Sequence, residues 1–493
     1  MQRPQRIQIK NESGIPQTLP EGKQYFQDLG GSGDILFLGL GPVPETAAAL
    51  FPDSSTLYYI ECREFEEQIK LRRELPPVFK RITQEQLKEK SKLRIVLYTP
   101  NKKLFPSFWE PVISRLRLAG TGIQAKKRHK TVWIPGDDKS LLVPEISRAF
   151  AAADFTYRVI APDAMRKNLL SLLDQELPEI VFSINYSGLD NSGETYFMLC
   201  EAGVKVVVWL VDNPFHIISG VKSDYWKQVP TMVTDDWFID PLEKLGAQKL
   251  IHLPLATDPE LFNSTVPKYP ALEERIVFVG RSSFPQKKSF FSGCTFTQTD
   301  QIDAASAIRQ GVKPDYEWWA RRDRLNTFWP GRKVRETGFR AEQAGLLWRS
   351  NALENVKSKL TLFGDAGWKD QLSASDLRPP VDYYTALPSI YAGSGITLNM
   401  TSPLLPHGLT QRNFDVWAAG GFLISDFTPG LSIFPEELAA ECSFTSPDQL
   451  AELCDKFASL PRLRKSLSKI WHKVIMQEHT YNCRLHNILN FLQ

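Results

Sequence analysis

Between residues 131 and 254, and again from residue 275, short continuous apolar runs alternate with segments of helical spacing. The first series holds Thr131-Val-Trp-Ile134, Tyr157-Arg-Val-Ile160, Ile180-Val-Phe-Ser-Ile184, Val204–Leu210 and Thr231-Met-Val233. Helical patterns at Leu142–Ala153, Asn168–Leu173, Gly193–Ala202 and Ile239–Leu245 separate them. The second series holds Arg275-Ile-Val-Phe-Val279, Lys359-Leu-Thr-Leu-Phe363, Ile396-Thr-Leu-Asn399 and Phe422-Leu-Ile424. A strand that is apolar on both faces must be covered on both faces, so this alternation predicts parallel sheets flanked by helices: an α/β fold with two such sheets.

At 493 residues the chain exceeds what one core can organise. Asp34-Ile-Leu-Phe-Leu-Gly-Leu-Gly41, a short helix and Thr56-Leu-Tyr-Tyr-Ile-Glu61 open a further βαβ unit in residues 1–125. A strand, Gly39-Leu-Gly41 and a strand-end acid at Glu61 suit either a nucleotide or S-adenosylmethionine site or a purely structural unit. The first series makes a domain of 126–265, closed by the Pro-rich stretch after Ile251. The second makes a domain of 266–475, with 476–493 as a C-terminal helix. Residues 284–345 interrupt the alternation with a mostly helical insertion. Its interleaved aromatics and arginines, such as Tyr316-Glu-Trp-Trp-Ala-Arg-Arg322, read better as packed helices than as a base-stacking surface.

A formal charge of +3 over this length argues against a chain built to hold nucleic acid. The basic run Lys126-Lys-Arg-His-Lys130 is then a solvated face or a local contact for an acidic partner. Six cysteines without CxxC spacing read as reduced thiols, no window is apolar enough to span a bilayer, and the first ten residues lack a signal-peptide core. A soluble, cytoplasmic protein is expected.

Chemistry concentrates where strands of the two series end. Pro406-His-Gly-Leu-Thr-Gln-Arg-Asn-Phe-Asp415 opens at Gly408, carries Arg412 into a short helix, and closes at Gly420-Gly421 before an apolar strand. Amides at a helix start beside a guanidinium suit a phosphate. Gly280-Arg281 ends the first strand of the second series, with Lys287 a turn later. In the first series Val206-Val-Val-Trp-Leu-Val-Asp-Asn-Pro-Phe-His216 delivers Asp212, Asn213 and His216 to the carboxyl edge of a buried strand, where open α/β sheets bind ligands. Asp212 is there a candidate general base or sugar contact, or part of a turn.

The second half, with Phe278-Val-Gly-Arg281, Leu362-Phe-Gly-Asp365 and Trp368, Leu387-Pro-Ser-Ile-Tyr391, Ile396-Thr-Leu-Asn399, Arg412-Asn-Phe-Asp415 and Ala419-Gly-Gly-Phe-Leu-Ile424, resembles the CgeB-like (spore maturation protein) glycosyltransferases. Val208-Trp-Leu-Val-Asp-Asn-Pro-Phe215 resembles their N-terminal domain. The resemblance covers roughly 130–480 and implies a GT-B architecture, two Rossmann-like domains facing a cleft. It also implies transfer of a sugar from a nucleotide-diphosphate donor to a protein or polysaccharide acceptor. In that reading Gly280, Arg281, Lys287, Gly408 and Arg412 hold the diphosphate. Gly364, Asp365 and Trp368 border the base with Asn399 nearby, Asp415 meets the ribose, and Asp212, His407 and Arg412 are catalytic. Asn213 and His216 lie on the acceptor side. No Asp-x-Asp has strand context, and Asp235-Asp236 is an adjacent pair with no partner cluster, so metal-independent chemistry without a cofactor is expected.

Related retaining enzymes carry a glutamate eight positions before the Asp415 site, where this chain has His407. An imidazole there suits a donor phosphate, a proton relay or a turn, and leaves donor sugar and anomeric outcome open. Two other readings stand beside the enzyme: a decayed nucleotide-sugar-binding scaffold, and a methyltransferase-like N-terminal unit fused to a transferase.

Overall fold

A computed structural model of the 493-residue chain describes residues 7–69, 74–89, 92–327, 329, 331–373 and 376–493. Residues 1–6, 70–73, 90–91 and 374–375, and positions 328 and 330 within the 284–345 insertion, lie outside the described residues.

Among the described residues three large sheets carry the chain, beside a two-stranded antiparallel pair of Gln8–Lys10 and Pro16–Thr18. The first has five strands in the order Phe26–Gly31, Leu93–Tyr98, Asp34–Leu38, Leu57–Ile60, Phe79–Arg81; only the edge strand Phe26–Gly31 runs antiparallel. The second is a six-stranded parallel sheet in which Thr156–Ile160 and Pro178–Ile184 flank His129–Pro135, followed outward by Lys205–Leu210, Thr231–Val233 and Leu250–His252. The third is also six-stranded and parallel. Its first strand, Ile276–Val279, lies between Leu360–Phe363 and Ile396–Asn399, with Asp376–Arg378 outside the former and Leu423–Asp426 and Ser443–Phe444 outside the latter. Numbered in chain order, the third sheet runs 3-2-1-4-5-6, the doubly wound order whose ligand crevice opens where the winding reverses, between strands 1 and 4. The expected α/β fold with two Rossmann-like sheets is what the chain adopts.

Burial explains the sheets. Val207, Val208, Trp209 and Leu210 are all inaccessible to solvent, as are Leu360 and Leu362, because helices cover both faces. The insertion does not stay with the sheet it interrupts. Tyr316, Trp319, Val334 and Ala341 pack into one core with Phe215, Phe238 and Trp226 of the second sheet's helices and loops, so the helices of 298–354 bridge the two sheets. Gly338 is glycine for this reason, since a Cβ there would collide with the His216 ring. The last helix, Tyr481–Phe491, also crosses back: Tyr481, Leu485 and Ile488 bury against Val132, Phe150 and Trp209.

The first sheet docks on the second through helix Pro106–Leu118. Lys102 and Arg117 pair with Glu194, Arg115 with Glu201 at 3.0 Å, and Glu110 lies fully buried 3.5 Å from Lys102. Burial pushes the Glu110 carboxyl up to about 7, against the pull of Lys102. A raised folded-state pKa stabilises below the unfolded value and loses that contribution as pH rises through the folded value. Stability should therefore fall between pH ~4.5 and ~7 by up to roughly 3 kcal/mol from this group. Thermal melts of Glu110→Gln across that range should show the slope flattened. An unchanged slope would mean the carboxyl does not titrate there.

Candidate active-site cleft

Two cavities meet between the carboxyl edges of the second and third sheets. One, of about 700 Å³, lies among Asp212, Arg281, Glu342, Arg349, Pro403 and Arg412. The other, of about 380 Å³, lies among Leu142, Asp212, Tyr383, Tyr391, Arg412 and Asp415. Asp212, Ser402, Leu405, Thr410 and Arg412 line both, so Asp212 from one sheet and Arg412 from the other mark the junction.

Arg412 is placed by a buried polar network. Asn399, at the carboxyl end of strand 4 of the third sheet, accepts from Arg412 Nη1 (2.9 Å) and Thr410 Oγ1 (2.9 Å), while its amide donates to Asn413 Oδ1 and Ser425 Oγ. The guanidinium carbon lies 5.3 Å from the Phe278 ring centroid, over its face. One edge of the fork is thus fixed while the side chain still lines both cavities. Asn399, fully satisfied and buried, positions Arg412 from behind the cleft wall.

Arg281 lines the larger cavity, and its side chain makes no hydrogen bond or ion pair among the described residues. Its backbone is clamped. Arg349, from the long helix Gly331–Glu354, donates to the carbonyls of Arg281 (2.9 Å) and Ser282 (3.2 Å). Asp365 accepts from the Ser282 amide (3.1 Å) and hydroxyl (2.6 Å), and the Trp368 indole donates to the Gly280 carbonyl (2.8 Å). Gly364 is glycine because a Cβ would come within 2.5 Å of that same carbonyl. Gly364, Asp365 and Trp368 therefore hold the Gly280–Ser282 loop, with Trp368 buried beneath it. Lys287 turns to Gln343 (3.1 Å) and Glu342 (3.5 Å), and burial lowers its pKa. Arg349 is the cation in the cleft that the sequence did not reveal, and burial lowers its pKa too.

Asp212 accepts from Asn185 Nδ2 at 2.8 Å; Asn185 also accepts from the Val211 amide (2.9 Å). Asn185 and Tyr186 both have positive φ, 52° and 61°, and this strained turn presents the Asn185 side chain to Asp212. Burial raises the Asp212 pKa, with the Asn185 bond pulling it down. Beside it, Asn213 caps helix Pro214–Ile218 through the amides of Phe215 and His216 and donates to the Leu404 carbonyl across the cleft (2.9 Å). His216 lies against Val334 O (3.3 Å) within a ring of aromatics, and burial pushes its pKa down to about 4, so the ring is neutral.

Two residues sit differently from their expected surroundings. His407 Nδ1 donates to Asp236 (2.7 Å) and its amide to Asp235 (3.0 Å), so Asp235-Asp236 does gain a partner in the fold. Their ligand atoms lie within 4.8 Å of one another, a set able to hold a cation, but none of the three lines the cleft cavities. Burial raises Asp235 to about 7. Asp415 borders the smaller cavity, yet its oxygens accept from Thr257 (2.8 Å) and Tyr383 (2.8 Å), and burial holds its pKa well above the carboxylate range. The Gly408 amide closes a turn on the Leu405 carbonyl.

In the N-terminal sheet the Gly39–Gly41 loop is filled by the chain itself. Glu61 accepts from the amides of Leu40 and Cys62, Asn101 occupies the space over Gly39, and a Cβ on Gly41 would lie 3.0 Å from the Tyr98 ring. That packing suits the structural reading of this βαβ unit.

Residues 346–490 match the family described as glycosyl transferase-like. No curated protein matches the chain. Among solved structures, it is similar to Alr3699/HepE of Anabaena, crystallised with UDP-glucose: 10% identity, 73% of this chain and 99% of that one, TM-score 0.41. OtsA in its apo form is similar at 12% identity, over 94% of this chain and 99% of that one, TM-score 0.39. The α,α-trehalose 6-phosphate synthase of Burkholderia multivorans shows 11% identity over 81% and 85%, TM-score 0.39. Among the described residues no helix is long and apolar enough to cross a membrane.

Proposed function

We propose that the protein is a metal-independent glycosyltransferase that moves a sugar from a nucleotide diphosphate to a protein or glycan acceptor. The observation that carries this is the meeting of Arg281 and Arg412 at the strand 1–strand 4 crevice of the third sheet, opposite Asp212 of the second. It agrees with the glycosyl transferase-like match over 346–490. A departing diphosphate needs its negative charge met in the transition state, and fixed guanidiniums supply this without reorganisation. Arg412, braced by Asn399, and Arg281, on a clamped loop, are placed for that role, with Arg349 behind them. The nucleoside then extends into the smaller cavity towards Tyr383 and Tyr391, and the acceptor meets the larger one beside Asp212.

Asp212 is the group that takes the acceptor proton, or orients its hydroxyl, because it lines both cavities and, among the described residues, its carboxylate is hydrogen-bonded to Asn185 alone. Asn213, His216, Gly364, Asp365, Trp368 and Asn399 position these groups. Asp415, His407 and Gly408 support the cleft wall. A decayed scaffold is the reading favoured by the occupied Asp415 carboxylate. The two separate in one assay, release of UDP, GDP or dTDP from nucleotide sugars in excess chelator. At least one donor should be consumed by the wild-type chain. Binding without any turnover, with acceptor extracts present, would leave the scaffold reading.

A further inference from the structure

We infer that the outer face of helix Pro461–Glu478 is a docking surface for an anionic bilayer. The helix is anchored on its inner side: Leu467, Trp471 and Ile475 are buried, Trp471 stacks on Trp417 with centroids 4.8 Å apart, and Arg464 donates to the Gly395 carbonyl at 2.7 Å. Its outer side carries Arg462, Lys465, Lys469 and Lys473, all exposed. At 100° per residue these four fall within about 80° of one another, a continuous basic stripe. Along one flank of it lie Leu463 and Ile470, two turns apart, and Leu460 precedes the first turn. They expose 36%, 46% and 43% of their surface respectively, three exposed aliphatics within eleven residues. The helix's one acid, Glu478, is its final residue.

Isolated exposed aliphatics or a lone charge run would carry little. Here both occur on one rigid helix, in the arrangement of an interfacial helix: aliphatics to enter the headgroup boundary and cations to meet lipid phosphates. On the flank of the helix away from Leu463 and Ile470 is a cavity of about 780 Å³ lined by Lys268, Arg464, Lys465 and Lys469 together with Glu273 and Glu274. It is large and basic enough to take a phosphate headgroup. The surface lies at the amino edge of the third sheet, beside Gly395 and Gly421, which lead into strands Ile396–Asn399 and Leu423–Asp426. The Arg281–Arg412 cleft lies at the opposite, carboxyl edge. Docking would therefore leave the cleft open, and the inference holds whatever reaction the cleft performs.

The test is co-sedimentation of the full chain with phosphatidylcholine vesicles, with and without a third of phosphatidylglycerol. Partition onto the anionic vesicles should exceed that onto neutral ones by at least about tenfold at low salt, and Lys465→Glu/Lys469→Glu/Lys473→Glu should abolish the difference. Leu463→Ser/Ile470→Ser should remove the share that survives raised salt. A matching set of Lys→Gln changes and unchanged melting temperatures guard against misfolding. Equal partition onto both vesicle types overturns the inference. So does binding to anionic vesicles that both variants retain, or heparin binding with no vesicle binding.

Discussion

Arg412→Ala is expected to lower kcat/KM for the productive nucleotide sugar by roughly 10²–10³, the effect of removing one fixed charge-stabilising donor in a cleft. The loss should fall on kcat more than on KM, because charge on the leaving diphosphate grows most in the transition state. Folding should survive. Asn399 Oδ1 still accepts from Thr410, and its amide still donates to Asn413 and Ser425, so the buried network keeps a partner at each point. Arg412→Lys should recover part of the rate, since the charge remains while the two-pronged geometry is lost. A melting temperature equal to wild type with unchanged kcat/KM would remove Arg412 from the chemistry.

Asp212→Asn should cost about 10²–10⁴ in kcat if the carboxylate takes the acceptor proton. The amide keeps the shape and can still meet Asn185, so little stability should be lost. The pH profile is the sharper readout. The base works ionised, and burial raises its pKa, so kcat/KM should climb with pH along a limb lying above the ordinary carboxylate range. That limb should vanish in Asp212→Asn. If the variant instead raises KM with kcat and the limb intact, Asp212 orients the acceptor and a different group takes its proton.

Which parts of this were legible in the sequence follows from how local their causes are. The strands were, because burial on both faces writes itself as an uninterrupted apolar run, as in Val206–Leu210 and Leu360–Phe363. So were the places of Asp212 and Arg281, because a polar residue closing such a run must stand at the sheet's carboxyl edge, and that of Arg412, as a cation at the start of a glycine-opened helix. Residues whose partners are remote in sequence were not. His407 meets Asp236 across 171 positions, and Asp415 meets Thr257 across 158, so neither partner leaves a mark near its motif. Arg349 sits mid-helix, and only the bridging course of that helix brings it to the Arg281 carbonyl. Asn185 carried a readable signal, a polar residue at the end of strand Pro178–Ile184, on the same edge as Asp212. Asp365 and Trp368 stand out as a motif, but their aim does not. They face the loop they hold, since a short turn fixes a residue's place in the chain and leaves the aim of its side chain to packing.

The bridging insertion also limits how far the two sheets can separate. Its helices share a core with the second sheet while Lys313 is ion-paired with buried Asp426 of the third at 2.8 Å. Helix Gly331–Glu354 itself enters both cores, through Val334 and Ala341 on one side and Trp348 and Leu353 on the other, so wide opening of the cleft would have to break packed contacts, which favours small closures around a bound donor.

The most direct measurement of the central claim is calorimetric titration with UDP, GDP and dTDP in excess chelator, on the wild type and on Arg281→Ala/Arg412→Ala. One of the three diphosphates should bind the wild type without metal, its monophosphate should bind more weakly, and the double variant should lose the difference between them. Diphosphate binding that needs a divalent cation, or that the double variant retains, would contradict the account.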